Sequence, residues 1–145
     1  AAALRFPNRQ VFSIVGDGGA LMTGSELATA VAKNAKMIVI VANNQHYGTI
    51  RYHQEVHFPT RDHYATNLVN PDFAKYGESF GLKCFTIEKI EEILPAIQAA
   101  MDVNGPSLIE FKMSLELNTS TTTITQLQMN YNNWPNNKIN LCGFF

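Results

Sequence analysis

Two short, uninterrupted apolar runs constrain this chain more than any other feature. The first, Val11-Phe12-Ser13-Ile14-Val15, closes in Gly16-Asp17-Gly18, and the second, Met37-Ile38-Val39-Ile40-Val41-Ala42, closes in Asn43-Asn44, with 24 residues, 19–42, between the two polar clusters. Each run is brief, rich in β-branched or aromatic residues and bounded by Gly or Asn, which predicts a buried strand. Strands that are apolar on both faces belong to parallel sheets, where a helical crossover joins each strand to the next. In such sheets ligands bind beyond the carboxyl ends of the strands. Asp17 and Asn44 are therefore expected at one site.

The residue types at that site suit a hard cation carrying a phosphate ligand. Mg²⁺ takes oxygen ligands in near-octahedral geometry and is usually held by one or two protein oxygens together with phosphate oxygens. Asp17 offers a carboxylate and Asn44 an amide carbonyl. Gly18 and Gly19 lack Cβ atoms, so the backbone is expected to take unusual dihedrals there and bring its N–H groups close to an anion. Thr23-Gly24-Ser25-Glu26 has capping-box spacing and predicts a helix running to about Asn34, its N-terminus facing the same anion. Asp17 is thereby expected on an exposed loop, so that Asp17→Ala would leave the fold intact. Taken singly, Gly-Asp-Gly is a common turn and Asn-Asn a common loop; their pairing at this spacing is what carries the signal.

That pairing resembles the thiamin diphosphate motif of thiamin-dependent decarboxylases, oxidases and acetolactate synthases. The likeness extends through Gly18-Gly19-Ala20-Leu21-Met22, Glu26-Leu27-Ala28-Thr29-Ala30, Asn43-Asn44-Gln45-His46-Tyr47-Gly48-Thr49-Ile50 and Asn70-Pro71-Asp72-Phe73, covering roughly residues 1–113. The resemblance implies that Asp17, the Asn44 side chain and the backbone carbonyl of His46 ligate Mg²⁺. It also implies that Gly18 and Gly19 contact the diphosphate, with Gly16, Tyr47 and Gly48 completing the cofactor-binding set. Many relatives carry Ser or Ala where this chain has Gly19, so a hydroxyl contact from that position is absent.

Charge and composition exclude other classes. The net charge is −1, 16% of the 145 residues are charged and no basic run occurs, so nothing in the chain attracts nucleic acid or an anionic membrane. At 46% hydrophobic residues the chain has enough for one packed core. No apolar stretch reaches the ~20 residues of a membrane helix, and Ala1-Ala2-Ala3-Leu4-Arg5-Phe6 is too short for a signal peptide, which makes the cytoplasm the expected location. Cys84 and Cys142 are far apart, form no CxxC pair and read as free thiols. His53 and His57 share one face of a helix expected to begin near Gly48, but Gln54-Glu55-Val56 between them is not a metalloprotease pattern, so they read as a solvated or cofactor-adjacent face.

Downstream, helices and strands alternate. Asn70-Pro71 reads as an N-cap and first-turn pair opening a helix that carries Phe73, Ala74 and Phe80 and stops at Gly81. Leu82 to Ile87 reads as a strand. Glu88 to Val103 predicts an amphipathic helix whose Ile90, Ile93, Leu94, Ile97 and Met101 form a core stripe, ended by Gly105-Pro106. Ser107 to Lys112 returns as a strand. The order βαβαβαβ predicts an α/β fold, a doubly wound parallel sheet with helices on both faces, the thiamin diphosphate-binding fold of the resemblance. Residues 114–145 form a Thr- and Asn-rich arm with little apolar patterning, expected to be loose, whose Tyr131, Trp134, Phe144 and Phe145 are candidates for docking on this domain or on a partner.

In the family, an acidic residue of a separate pyrimidine-binding domain or subunit activates the cofactor for attack on a 2-oxo acid such as pyruvate, and no Glu of this chain corresponds to it. No catalytic acid is therefore assigned here. The chain reads as the C-terminal, Mg²⁺- and thiamin diphosphate-binding domain of a longer acetolactate synthase-like enzyme that works as a homo-oligomer. Two alternatives remain open at this stage: a small subunit of a split thiamin-dependent 2-oxo acid decarboxylase or oxidoreductase, and a non-catalytic domain that keeps the fold.

Overall fold

A computed structural model describes residues 1–58, 62–116 and 122–132. Four strands, β1 (Phe12–Gly16), β2 (Ile38–Asn43), β3 (Lys83–Ile87) and β4 (Ser107–Lys112), form one sheet in the order β1-β2-β4-β3. Every pairing is parallel, with Gly16 level with Ala42 and Asn43 level with Lys112. The polar residues that close β1 and β2 therefore emerge side by side at the carboxyl end of the sheet.

Helices cover both faces. On one, α2 (Asp17–Thr23), α3 (Leu27–Ala32) and α5 (Phe73–Ser79) bury Ala20, Leu27 and Phe73 against Val39, Val41 and Leu108. On the other, α6 (Ile93–Met101) packs Ile93, Ala96, Ile97 and Ala100 against Ile38, Ile87 and Ile109. Phe73 and Ile109 are wholly buried, and side chains of this size contribute about 1.5–3 kcal/mol each on leaving water. α6 lies mainly against β3 and β4, and Phe12 and Ile14 of edge strand β1 remain exposed on that face. Three further helices, α1 (Ala2–Arg5), α4 (Gly48–His57) and α7 (Ile124–Asn132), complete the described residues.

Four local expectations give way to the structure. The helix after β1 begins at Asp17 rather than at the Thr23 box, because Asp17 already supplies an acceptor at the first turn while Thr23 makes no cap and points its hydroxyl back to the Gly19 carbonyl, 3.4 Å away. A 3₁₀ turn, Gly24–Glu26, then joins α2 to α3. Helix α5 is capped by Asp72, whose carboxylate accepts the Lys75 N–H at 2.9 Å, and Asn70 turns elsewhere; Gly81, at φ +94°, ends the segment as expected. In the amphipathic segment the buried stripe is 93/96/97/100, whereas Ile90, Leu94 and Met101 are 82%, 78% and 36% exposed. The first turn, Ile90–Glu92, is 3₁₀ and rotates Ile90 off the α-helical stripe, and the small Ala96 and Ala100 make the sheet contact instead. Within the arm expected to be loose, α7 packs on α4 and buries Ile124. Cys142, Trp134, Phe144 and Phe145, and the side chain of Tyr131, lie outside the described residues.

Candidate functional site

Asp17 is the first residue past β1, and its side chain is buried rather than exposed on a loop, at 2% accessibility. Oδ1 accepts the N–H of Gly18 at 2.8 Å and Oδ2 accepts from Asn70 Nδ2 at 2.7 Å. The same Asn70 amide donates to Asn43 Oδ1 at 2.8 Å, and Asn43 Nδ2 donates to Glu110 Oε1 at 2.7 Å. One continuous set of hydrogen bonds thus links the end of β1, the end of β2, the loop before α5 and the middle of β4.

Asn44, His46 and their neighbours form the other half of the site. Gln45 sits in the left-handed region at φ +58°, an uncommon place for a residue with a Cβ. It is held there by its own N–H on Asn43 Oδ1 and by Leu68, whose N–H donates to the Gln45 carbonyl. Tyr47 N–H donates in turn to the Thr66 carbonyl, so His46 and Asn67 face one another as an antiparallel pair without bonds of their own. In such a pair the N–H and C=O of each residue point away from its partner. The His46 N–H accordingly meets Asn44 Oδ1 at 3.3 Å. The imidazole is pinned by the Asn44 carbonyl on Nδ1 and by Arg51 on Nε2. Arg51 and the buried Glu55 of α4 pair at 3.5 Å, and Gln128 of α7 donates to the other Glu55 oxygen at 2.9 Å.

Gly18 and Gly19 do not adopt left-handed dihedrals; both lie within right-handed α2. Their value is space. A Cβ on Gly18 would come within 2.6 Å of Tyr47 Cε1, and one on Gly19 within 2.8 Å of Val15 Cγ2. The Gly18 N–H, expected to face an anion, is committed to Asp17. Gly48 opens α4 as expected, and His53 and His57 stack on its exposed face with ring centroids 5.8 Å apart. No group of three or more metal-ligating His, Cys, Asp or Glu side chains occurs among the described residues.

The donors at the strand ends fit a small hard cation in chemical type: a carboxylate already fixed in orientation, an amide oxygen two residues before His46, and the peptide carbonyls of that segment. Three residues of the site escaped the sequence reading. Asn70 resembled a helix cap, Asn43 a mere neighbour of Asn44, and Glu110 a strand residue. A signal existed for Glu110, an acidic residue in the middle of an apolar strand that the topology makes central, and buried charges of that kind need a partner.

Beside this hydrogen-bonded set lies a polar cleft of about 310 Å³ lined by Asn43, Asn70, Asp72, Glu110 and Lys112 among others. Away from the site, Cys84 is a half-buried free thiol whose pKa is pushed up to about 11, first by burial and then by Glu78.

Comparison with known proteins adds an independent line. Residues 1–111 match the family described as thiamine pyrophosphate enzyme, C-terminal TPP binding domain. The chain is 36% identical over 118 residues to the 3D-(3,5/4)-trihydroxycyclohexane-1,2-dione hydrolase of Bacillus subtilis (strain 168), covering 76% of this chain and 18% of that protein. It is 34% identical over 103 residues to the catabolic acetolactate synthase of Raoultella terrigena, covering 71% of this chain and 18% of that one. The solved Rhodococcus jostii RHA1 thiamine diphosphate-dependent 4-hydroxybenzoylformate decarboxylase superposes with a TM-score of 0.72 at 26% identity, over 78% of this chain and 21% of its own. The chain thus spans about a fifth of the length of these relatives.

Proposed function

Because the chain belongs to the thiamine pyrophosphate enzyme family and carries its C-terminal TPP binding domain over residues 1–111, we propose that the site beyond β1 and β2 anchors the cofactor's diphosphate through a divalent cation, Mg²⁺. In this reading Asp17 gives the cation a carboxylate oxygen, Asn44 its amide oxygen and His46 its backbone carbonyl. Gly16, Gly18, Gly19, Tyr47 and Gly48 form the wall against which the cofactor lies. The observation that carries the reading is the Asp17 carboxylate, buried at the end of a strand and held from both oxygens. A ligand fixed before the cation arrives loses little freedom on binding it.

The cofactor supplies the electron sink for bond cleavage beside a carbonyl, and protein residues supply orientation and charge. On this chain Asn70 holds Asp17, Tyr47 packs on Gly18, and Arg51 fixes the His46 ring. The acid that activates the cofactor is assigned to a pyrimidine-binding domain or subunit, and the assembled enzyme to a homo-oligomer. The proposed reaction is of the acetolactate synthase type, decarboxylation of a 2-oxo acid such as pyruvate followed by carboligation. Similarity to the cyclohexane-1,2-dione hydrolase favours a second reading, hydrolytic cleavage of a 1,2-dione. Both substrates present a ketone beside a second carbonyl, so the same cofactor chemistry serves either.

Calorimetric titration of the full-length protein with thiamin diphosphate, with and without Mg²⁺, tests the reading. Asp17→Asn is the informative control, since it preserves shape where Asp17→Ala would strand the Asn70 amide. Binding that requires Mg²⁺ and is lost in Asp17→Asn is the expected result. Equal binding by both proteins, or binding indifferent to Mg²⁺, would sink it.

A further inference from the structure

We infer that Glu110, in the middle of β4 and far from any cofactor-contacting loop in sequence, is a positioning residue that sets the orientation of the Asp17 carboxylate through Asn43 and Asn70. This inference rests on the reading of Asp17 as a cation ligand and extends it to Glu110, which lies outside the motif.

Donors and acceptors fix the order of the relay. A carboxylate oxygen offers no proton, so Glu110 Oε1 requires the NH₂ end of Asn43, which sits 2.7 Å away. With its NH₂ turned to Glu110, Asn43 must present its oxygen to the other side. There it accepts from Asn70 Nδ2 at 2.8 Å and from the Gln45 N–H at 3.2 Å. Asn70 must then present its NH₂ to both Asn43 and Asp17, using one hydrogen for each. The remaining Asp17 oxygen is fixed by Gly18 N–H. An amide is nearly symmetric in shape and can be turned over at little steric cost. Glu110 removes that freedom from both amides in series, and the last amide grips the proposed metal ligand. The same Asn43 oxygen that receives Asn70 also holds Gln45 in its left-handed conformation, so the relay reaches the Asn44–His46 segment as well.

Two further observations set the cluster apart from ordinary core packing. Glu110 is 1% exposed, and its Oε2 is buried without a hydrogen-bond partner among the described residues. Asn70 Oδ1 is buried in the same condition. Unmet buried acceptors lower stability, so packing alone does not account for a carboxylate at this place. The polar set is explained by what it does at its far end.

The test is Mn²⁺ affinity in the full-length protein with thiamin diphosphate present, read from the electron paramagnetic resonance of free Mn²⁺, beside the melting temperature of the cation-free protein. Glu110→Leu and the single exchange Asn43→Asp should each weaken Mn²⁺ binding by about 10–100-fold, the range expected for groups that orient metal ligands. Asn43→Asp does so by setting two carboxylates against each other. Combining Asn43→Asp with Glu110→Gln reverses the first link while leaving an acceptor for Asn70, and should recover most of the lost affinity. Such recovery is coupling that independent sites do not show. Glu110→Gln alone offers Asn43 either end of an amide, restores the freedom to turn over, and should weaken Mn²⁺ binding less than Glu110→Leu does. Should Glu110→Leu fail to fold, the exchange pair still decides. Variants that bind Mn²⁺ like the wild type, or whose losses simply add, overturn the relay, even if their melting temperatures fall. A wild-type protein that binds no Mn²⁺ overturns instead the cation reading beneath it.

Discussion

Asn70 Nδ2 lies 2.7 Å from Asp17 Oδ2 and 2.8 Å from Asn43 Oδ1, so one side chain ties the end of β1 to the end of β2. Removing it should be felt twice. Asn70→Ala takes away the donor from two buried acceptors, which should cost about 1–3 kcal/mol of stability, measured by urea unfolding. It should also weaken Mg²⁺-dependent cofactor binding. Asn70→Asp should be worse on both counts, because it sets a third acceptor against two others and adds a charge beside the buried Asp17.

The glycines of the motif separate by the space around them. A Cβ at Gly16 meets nothing within 4 Å, whereas at Gly18 it meets the Tyr47 ring at 2.6 Å. In the cofactor-free protein Gly16→Ala should leave the melting temperature nearly unchanged. Gly18→Ala should lower stability by about 1–3 kcal/mol, the usual range for overpacking, reduced by the better helix propensity of Ala in α2. Scanning calorimetry of the two variants checks the contrast. Equal stability would show that the Tyr47 ring gives way freely.

The framework was legible because its signals are local. Runs such as Met37–Ala42 and Ser107–Lys112 have the length and residue types of buried strands, and the structure places β2 and β4 at the centre of a parallel sheet with helices on both faces. What was misread depended on contacts between segments far apart in the chain. Asn70 before Pro71 satisfies every local rule for a helix cap, yet Asp72 performs that task, and Asn70 is drawn away by a carboxylate 53 residues earlier. Asp17 likewise reads as a loop residue until α2 begins on it and the Asn70 loop closes over it. Ile90 and Leu94 fit a core stripe by spacing, but the face of the helix that meets the sheet carries Ile93, Ala96, Ile97 and Ala100.

Asp72 should carry the N-terminus of α5 largely by itself. Its carboxylate accepts the Lys75 N–H, and that bond, followed by the nearby Lys75 charge, holds its pKa below the usual carboxylate range. Asp72→Ala should cost about 1 kcal/mol, a typical value for a lost cap. The depressed folded pKa fixes the sign of the pH dependence: the contribution is full above the unfolded pKa and fades as pH falls through the lower folded value. Unfolding curves of wild type and Asp72→Ala should therefore converge in acid below about pH 4. Curves that stay parallel would assign the loss to something other than the ionised cap.

Cys84 should behave as an inert thiol in the folded protein and an ordinary one when unfolded. Burial first, then the Glu78 charge, raises its pKa to about 11, so near pH 8 only about 0.1% of the folded population presents the reactive thiolate. Iodoacetamide at that pH should label the denatured chain far faster than the native one, with mass spectrometry of peptides containing Cys84 as the readout. The linkage runs opposite to that of Asp72. Unfolding releases the thiol to titrate at its lower free value, so the folded state holds the extra proton and loses stability as pH climbs from about 9 towards 11. Cys84→Ser would substitute a hydroxyl that does not titrate in this range, and its stability should decline less steeply over the same interval. Rapid native labelling at pH 8, together with identical alkaline slopes for Cys84 and Ser, would mean that the thiol is open to solvent despite its place beside Leu108.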